Sequence, residues 1–372
     1  MKIIIIGAGA SGVSCAINYK RNHPKDDVLI IEHLDKPLKK LLATGNGRCN
    51  LGNAALDFDK YSNPKFVEEI LSDYSYEDFF DSISIKTKLI DDLAYPMSES
   101  AVSVRNAFLN ELERLDIKIN LSEKLIDYKE GEKITVKTDK NKYIVDLLFI
   151  SGALKSIDKL GSDLSVFSIL KNHGYKTKEP LPGLCPIKAK ESTKLLDGTR
   201  VKCKAKLYKN QSLIHEEKGE VLFKENGLSG IVIFNLSILI ARSIKNDYKI
   251  SLDLLPEISN IEIQNYCNSH TFDGFLQAFL NPKIIQYLKE RYHFEKEVLE
   301  AVKNLEFSFK ELYDFMFSQI SVGGIDLSEV NNDLSSKKEK GVFLLGELLD
   351  IDGPCGGYNL TWAFGSGMCA SK

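Results

Sequence analysis

The amino-acid sequence predicts an α/β protein. We expect a parallel-sheet domain built from both ends of the chain, an inserted β-rich, barrel-like subdomain and a small helical subdomain. Residues 2–12 read as a strand followed by a glycine-rich turn. Residues 201–208 alternate apolar and polar side chains, which is typical of a strand with one buried face. Residues 342–347 read as an apolar strand that ends in Gly-Glu, and another glycine-rich loop follows it.

The opening strand contains four consecutive isoleucines at residues 3–6, which predicts burial on both of its faces. Residues 7–12 then read GAGASG. Gly7 permits a tight turn, Gly9 lets the backbone approach a pyrophosphate, and Gly12 lets the following helix pack closely on the strand. The free N–H groups at the start of such a helix favour anions. We expect this helix to end near Asn22, before a proline.

A second strand at residues 28–31 leads into Glu32. An acid about 20 residues after the glycine turn can bind the ribose hydroxyls of a dinucleotide. The glycines alone would equally fit a tight strand-to-helix turn in any α/β protein. Together with the acid they predict a Rossmann-like dinucleotide site. Its residues are Gly7, Gly9, Ala10, Ser11, Gly12 and Glu32.

Composition limits the class of protein. The 372 residues, 43% of them hydrophobic, suit two or three domains with a large core. A net charge of −3 gives no overall attraction to nucleic acid or anionic membranes. Seven cysteines without a C-x-x-C pair favour a reduced, cytoplasmic protein over a disulfide framework, a zinc site or a dithiol reductase. We expect no leader peptide, because residue 3 already lies in the first strand. The apolar run at residues 231–241 is shorter than the ~20 residues of a membrane span, so it predicts a buried helix.

The segment at residues 36–53 combines cationic, glycine and amide residues without helix or strand periodicity. Such a segment is most often only a polar loop. Within it, however, residues 44–50 read TGNGRCN, which places glycines beside hydrogen-bond donors. This is expected where backbone closely approaches a flat polar ligand. Arg48 could form paired hydrogen bonds to a phosphate or to an anionic ring oxygen.

At this point the sequence resembles the HI0933-like flavoproteins, an FAD-binding family often described as NAD(P)/FAD-dependent oxidoreductases or aminoacetone oxidases. The matching stretches are residues 7–12, 41–50, 219–223 with 227–230, and 323–367. The resemblance implies an FAD-binding Rossmann-like domain, hydride transfer through the flavin N5, and NAD(P)H as a transient electron donor. One departure is Leu93, which stands where the family has an arginine two residues before an aromatic-Pro-x-Ser segment.

The resemblance also implies where the rest of the FAD site lies. The loop after the strand at residues 342–347 suits the ribityl and pyrophosphate part of FAD. A helix from Asn359 to about residue 370 would aim its free N–H groups at the flavin, where negative charge builds during reduction. Asp350 and Asp352 are close in sequence but, without a histidine, do not predict a metal site. The further residues expected to bind FAD are Lys40, Thr44, Gly45, Asn46, Arg48, Cys49, Asn50, Leu125, Gly346, Glu347, Asp352, Gly356, Gly357, Asn359 and Leu360.

The acceptor half of the reaction is less defined. Reduction of a conjugated C=C bond needs a proton donor opposite the hydride. Cys355, Cys49 and Tyr358 are candidate donors because they adjoin the flavin loops in sequence, although packing is the commoner role of each. The sequence has no second glycine-rich Rossmann motif, which argues against a separate domain for tightly bound nicotinamide.

The resemblance implies several substrates. Family members are associated with reduction of steroid-like enones, with reduction of uridine to dihydrouridine in ribosomal RNA and, as an older label, with amine oxidation. The aromatic-rich residues 272–317 favour a small apolar substrate, whereas Lys202, Lys204 and Lys206 keep RNA open as a partner. A solvated edge strand protected by lysines explains the same three residues more simply. A non-enzymatic, flavin-binding redox sensor is a further alternative. The sequence does not define an oligomeric state.

The expected boundaries follow from these assignments. Residues 1–180 and 320–372 would form the FAD-binding domain, residues 181–257 the β-rich subdomain and residues 258–319 the helical subdomain. Within the last of these, helical segments are expected at residues 260–291 and 293–304.

Overall fold

The computed structural model describes residues 1–157 and 160–372. In chain order, the helices of the described residues are α1 (Ala10–Asn22), α2 (Pro64–Leu71), α3 (Tyr76–Ser82), α4 (Ala101–Arg114), α5 (Ser165–Asn172), α6 (Ile231–Arg242), α7 (Asn260–Ser269), α8 (Phe272–Phe279), α9 (Pro282–Arg291), α10 (Glu295–Lys303) and α11 (Tyr358–Ala370). The strands are β1 (Lys2–Ile6), β2 (Asp27–Ile31), β3 (Gly52–Asn53), β4 (Thr87–Ile90), β5 (Leu93–Pro96), β6 (Lys118–Asn120), β7 (Leu125–Lys129), β8 (Ile134–Thr138), β9 (Lys142–Val145), β10 (Leu147–Ile150), β11 (Thr177–Gly183), β12 (Ile187–Ala189), β13 (Arg200–Lys209), β14 (Ser212–Lys224), β15 (Gly227–Ser229), β16 (Tyr248–Asp253), β17 (Leu305–Leu312), β18 (Ile320–Ile325) and β19 (Val342–Leu344).

Two compact units divide these elements. One unit comprises Met1–Leu181 and Ile320–Lys372, and the other comprises Pro182–Gln319. Among the described residues, no helix combines the length and apolar character that crossing a membrane would need.

A parallel five-stranded sheet with the order β19-β10-β1-β2-β6 forms the centre of the first unit. The central strand β1 pairs in parallel with β10 and β2, and its four isoleucines are buried, as the sequence predicts. Strand β19, contributed by the C-terminal part of the chain, pairs with β10. The predicted α/β fold, in which both chain ends build one sheet, is therefore confirmed.

Helices α1 and α11 pack closely against each other because small residues lie at their crossing. A Cβ atom added to Gly367 would overlap the carbonyl oxygen of Ser11. The hydroxyl of Ser14 donates to the carbonyl oxygens of Ser11 and Phe364, which joins the two helices. This crossing fixes the start of α1 relative to the start of α11.

The second unit contains a closed barrel with the strand order β12-β15-β14-β13-β16-β17. Strand β13 buries Cys203, Ala205 and Leu207 on its inner face, as the alternation predicts. It pairs with β14 on one side and with β16 on the other. The prediction of a solvated edge strand is therefore wrong, because closure of the barrel leaves this strand without a free edge.

The helices of the second unit are shorter than expected. The predicted helical segment at residues 260–291 is divided into α7, α8 and α9. Thr271 caps α8 by accepting a hydrogen bond from the Gly274 amide, and Asn281 caps α9 just before Pro282. Strand β17 closes the barrel although it lies within residues 258–319. The proposed boundary at residue 257 stays a prediction.

Candidate functional site

The start of α1 is open to a ligand. Gly9 is the N-cap, and no side chain of the described residues caps the helix or places an acid in its first turn. The first N–H groups of α1 are thus free of side-chain partners. A Cβ atom added to Gly9 meets nothing within 4 Å, so this residue borders empty space. Gly7 has a φ of +97°, and a Cβ on Gly12 would overlap the Gly7 carbonyl, so these two glycines are required by the fold itself.

Glu32 lies beside this turn at the end of β2, with 6% of its surface exposed. Its Oε2 accepts a hydrogen bond from the Ala8 amide at 2.7 Å, and its Oε1 accepts one from the Leu34 amide at 2.9 Å. The His33 Nδ1 lies 2.9 Å from the same Oε1. Burial would raise the pKa of Glu32, but the hydrogen bonds from His33, Leu34 and Ala8 hold it below its usual value. Glu32 is therefore an ionised acid at the predicted ribose position.

The loop at residues 36–53 runs from the glycine turn to the start of α11. At one end, the Leu38 amide donates to the Ala8 carbonyl at 2.9 Å. Its middle contains a short 3₁₀ helix at Leu41–Gly47, which is interrupted by non-helical residues at positions 44–46. At the other end, the Asn53 side chain donates to the Gly356 carbonyl at 2.9 Å. The loop therefore joins the two helix N-termini.

The start of α11 is also uncapped. Gly357 is its N-cap with a φ of +93°, and no described side chain caps this helix. A Cβ atom on Gly357 would lie 2.6 Å from the Gly52 carbonyl, so the loop backbone approaches the helix closely. The Thr361 hydroxyl in the first turn is buried and has no hydrogen-bond partner among the described residues. A buried hydroxyl without a partner is unusual and fits a position where a ligand completes the hydrogen bonding.

Gly346 and Glu347 follow β19 and lie between the two helices. A Cβ atom on Gly346 would overlap the Ser11 hydroxyl at the start of α1. On the other side, the indole Nε1 of Trp362 in α11 donates to the Gly346 carbonyl at 3.0 Å. The Glu347 carboxylate accepts hydrogen bonds from Lys40 Nζ at 2.9 Å and from the Ser321 amide at 3.0 Å. Lys40 and Glu347, both predicted site residues, therefore neutralise each other.

Several predicted site residues have internal partners. The Asn359 amide group accepts from the Gly353 amide at 3.1 Å and donates to the Gly353 carbonyl at 2.8 Å, so it shapes the loop before α11. The Asp352 amide donates to the Ser62 hydroxyl. Leu125 is buried at the start of β7, and the Glu123 amide two residues earlier donates to the Glu32 carbonyl. Leu125 is therefore close in sequence to a residue that contacts the predicted ribose position.

The three candidate proton donors differ in exposure. Cys49 is fully buried, and this burial raises the pKa of its thiol to about 11. Tyr358 is also buried, and its hydroxyl accepts a hydrogen bond from the Asp57 amide at 3.3 Å. Cys355 is partly exposed. Sequence proximity brought these residues together as candidates, but it carried no information on their burial.

Carboxylates of β14 lie beside the three barrel lysines. Lys204 forms an ion pair with Glu216 at 2.6 Å. In the register between β13 and β14, Lys206 lies opposite Glu216 and Lys202 opposite Glu220. Carboxylates beside the lysines reduce the local positive potential that phosphate binding would use. The arrangement does not favour the RNA alternative.

The family model described as the HI0933-like protein Rossmann domain matches residues 1–372. The chain belongs to the HI0933-like family. This HI0933-like protein is 31% identical over 401 residues to the 3-dehydro-bile acid delta(4,6)-reductase of Clostridium scindens, with 100% of the chain and 98% of the relative covered. It is 25% identical over 411 residues to the ribosomal RNA dihydrouridine synthase of Escherichia coli, with 99% and 96% covered.

Among solved structures, a quinol-fumarate reductase with menaquinol molecules superimposes with a TM-score of 0.50 at 11% identity, and the alignment covers 100% of this chain and 70% of that chain. This likeness concerns the fold alone. Family membership and the full-length match to a reductase confirm that the HI0933-like protein is an FAD-dependent oxidoreductase. The two uncapped helix N-termini, the space beside Gly9 and the unpartnered Thr361 hydroxyl fit such a cofactor.

Thr361 and Asn53 are not among the site residues predicted from the sequence. Asn53 acts through a contact with a distant segment, the burial of the Thr361 hydroxyl depends on the tertiary fold, and a threonine or an asparagine has many roles in a loop or at a helix start. The free N–H groups of α11 were predictable from the glycine pair before it, whereas the buried hydroxyl was not.

Proposed function

We propose that this HI0933-like protein reduces a carbon–carbon double bond conjugated to a carbonyl group in a small apolar substrate, with NAD(P)H as the transient electron donor. The observation that carries the proposal is the full-length 31% identity to a relative named as a bile acid delta(4,6)-reductase. The match to the ribosomal RNA dihydrouridine synthase is weaker at 25%, and the β13 lysines, of which Lys204 is ion-paired with Glu216, add nothing to it.

In this proposal the glycine turn and Glu32 hold the cofactor. The backbone of Gly7, Gly9, Ala10, Ser11 and Gly12 binds the pyrophosphate, because the uncapped start of α1 offers N–H groups beside empty space. Glu32, kept ionised by its backbone hydrogen bonds, accepts hydrogen bonds from the ribose hydroxyls. FAD, when bound, supplies hydride transfer at its N5 atom.

The start of α11 serves the flavin end of the site. Its free N–H groups and the loop around Gly356 and Gly357 stabilise negative charge near the flavin ring. The Thr361 hydroxyl adds a hydrogen-bonding group in the same turn. Of the three candidate proton donors, we favour Cys355, because Cys49 and Tyr358 are buried in packing contacts.

Anaerobic half-reactions test the proposal. The purified protein should release FAD on denaturation, and NADH or NADPH should reduce the bound flavin. A steroid-like 4-en-3-one should then reoxidise it, with formation of the saturated ketone. Reoxidation by uridine-containing ribosomal RNA but by no enone would contradict the proposal and favour the RNA-modifying alternative. Flavin that no acceptor reoxidises would favour a redox sensor.

A further inference from the structure

Arg48 is a preoriented cation whose terminal nitrogens remain available. Its guanidinium carbon lies 4.8 Å from the centre of the Tyr95 ring, an arrangement that fixes the plane of the group. Its Nε donates to the Gly45 carbonyl at 3.4 Å. The terminal NH1 lies 3.9 Å from the Glu99 carboxylate, which is too long for a hydrogen bond. Within the described residues, neither terminal nitrogen has a hydrogen-bond acceptor.

The charge of Arg48 is not neutralised by its neighbours. The only carboxylate that the described residues place within ion-pair distance is that of Glu99, which forms a closer ion pair with Lys88. That closer pair, first among the causes, lowers the pKa of Glu99 and keeps it ionised. Two cations thus share one anion, and the excess positive charge lies on the stacked guanidinium of Arg48, whose side chain is 44% exposed.

Arg48 lies at the α11 end of the candidate site. Leu93 and Tyr95 are two residues apart on β5 and therefore face the same side of that strand. Leu93 is in contact distance of Gly356, since a Cβ atom on this glycine would lie 3.6 Å from the leucine side chain. Arg48, stacked on Tyr95, therefore faces the same side as the loop that starts α11. The glycine turn contacts the other end of the loop, at Leu38.

We propose that Arg48 binds the carbonyl oxygen of the substrate and stabilises the negative charge that this oxygen gains, an inference that rests on the proposed function. In that reaction a hydride from the reduced flavin adds to the β-carbon and forms a C–H bond. The π electrons of the C=C bond move toward the carbonyl, which gives an enolate oxygen. A proton, which the proposed function assigns to Cys355, then adds to the α-carbon and restores the ketone. The C=C bond is reduced by two electrons, and the flavin is oxidised.

A guanidinium suits this role for two reasons. It stays protonated throughout, so it stabilises the enolate without giving up its proton. Its two free terminal nitrogens can donate to one oxygen from a fixed plane, and donors fixed in advance stabilise developing charge best. In the proposed function the pyrophosphate, by contrast, binds at the start of α1, at the opposite end of the loop.

The test uses the FAD-loaded protein with its flavin photoreduced under anaerobic conditions, so that no nicotinamide is needed. The rate of reoxidation by a 4-en-3-one is measured for wild type, Arg48→Ala, Arg48→Lys and Lys86→Met. Lys86 is a matched control, because it is an exposed cation near the start of the same β4–β5 hairpin and pairs with Asp81. We expect Arg48→Ala to react roughly 10²–10³-fold more slowly, as for loss of an oxyanion donor. Arg48→Lys should be intermediate and Lys86→Met unchanged.

Added guanidinium chloride at millimolar concentration should partly restore Arg48→Ala, whereas it should not affect Lys86→Met. Bound FAD and the photoreduction rate should match wild type in all variants. Failure of wild type to react with any enone would refute the proposed function together with this role. Wild-type rates in Arg48→Ala, loss of its FAD, or absence of rescue by guanidinium would refute the role of Arg48 while the proposed function stands. Should Arg48→Ala not fold, a wild-type rate in Arg48→Lys would refute the fixed-plane argument.

Discussion

Replacement of Gly9 by valine should separate cofactor binding from folding. The backbone at Gly9 is extended, with φ −81° and ψ −174°, so it does not require glycine, and an added Cβ atom meets nothing within 4 Å. Valine is a poorer N-cap than glycine, so we expect the free energy of unfolding of the apo protein to fall by no more than about 1 kcal/mol. The side chain would, however, occupy the space through which the pyrophosphate reaches the N–H groups of α1.

The cost to the cofactor follows from the bonds lost. A hydrogen bond to a charged group contributes about 1.5–3 kcal/mol, so displacing the pyrophosphate from one or two amides should cost about 3 kcal/mol. This corresponds to roughly a hundredfold weaker FAD binding. Gly12→Ala should behave differently, because its Cβ would overlap the Gly7 carbonyl and destabilise the apo protein itself by about 1–3 kcal/mol or more.

Titration of the apo proteins with FAD, followed by flavin fluorescence, gives the affinities, and urea unfolding of the same samples gives the stabilities. Gly131→Ala is a suitable control, since it lies in the β7–β8 turn and its added Cβ has only the Lys133 carbonyl as a neighbour, at 3.3 Å, among the described residues. Its FAD affinity should equal that of wild type. Wild-type FAD affinity in Gly9→Val would show that the pyrophosphate does not bind at this turn.

Two further predictions concern stability. Gly367→Ala should separate α1 from α11 because its Cβ would overlap the Ser11 carbonyl. We expect the free energy of unfolding to fall by about 2–3 kcal/mol and the melting temperature, measured by calorimetry, to fall by roughly 4–12 °C. An unchanged melting temperature would contradict the close crossing. Burial lowers the pKa of His173, but hydrogen bonds with Asp127 and Glu339 outweigh it and raise the pKa above 6.5. The stability that His173 adds is therefore complete below pH 6.5 and is lost as the pH rises through its folded-state pKa. In urea unfolding, the difference in free energy of unfolding between wild type and His173→Gln should shrink as the pH rises. A difference that stays constant with pH would contradict this ion-paired role.

The parallel core was predictable because its residues carry the signal locally. Four isoleucines in β1 leave no polar face, and burial on both sides of a strand follows from that composition alone. The alternation of β13 predicted its inner face equally well, but an edge strand and a barrel strand share this pattern. The difference depends on which distant strands pair with it, here β14 and β16. Local sequence does not encode that pairing.

The helix starts in the second unit were predictable from the sequence, although the expected segment at residues 260–291 did not include them. Thr271 and the Asn281-Pro282 pair are common helix-start residues, and they divide the expected segment into three helices. The residues of the candidate site also differ in how far the sequence could predict them. The glycine turn and Glu32 were predicted from the spacing typical of dinucleotide sites, and the hydrogen bond from the Ala8 amide to Glu32 brings them together. The stacking of Arg48 on Tyr95 depends on a contact between separate segments, so the sequence showed the charge but not its orientation.

The hydrogen bond between Trp362 and Gly346 has a practical consequence. Trp362 is the single tryptophan of the chain, and its buried indole lies in α11, next to the glycine that separates the two helix starts. Its intrinsic fluorescence therefore comes from one place in the protein, and we expect a blue-shifted emission typical of an indole shielded from water. Flavin absorbs in that emission range, so bound FAD should quench the signal by energy transfer. Cofactor release and loosening of this junction could then be followed in real time without any attached label.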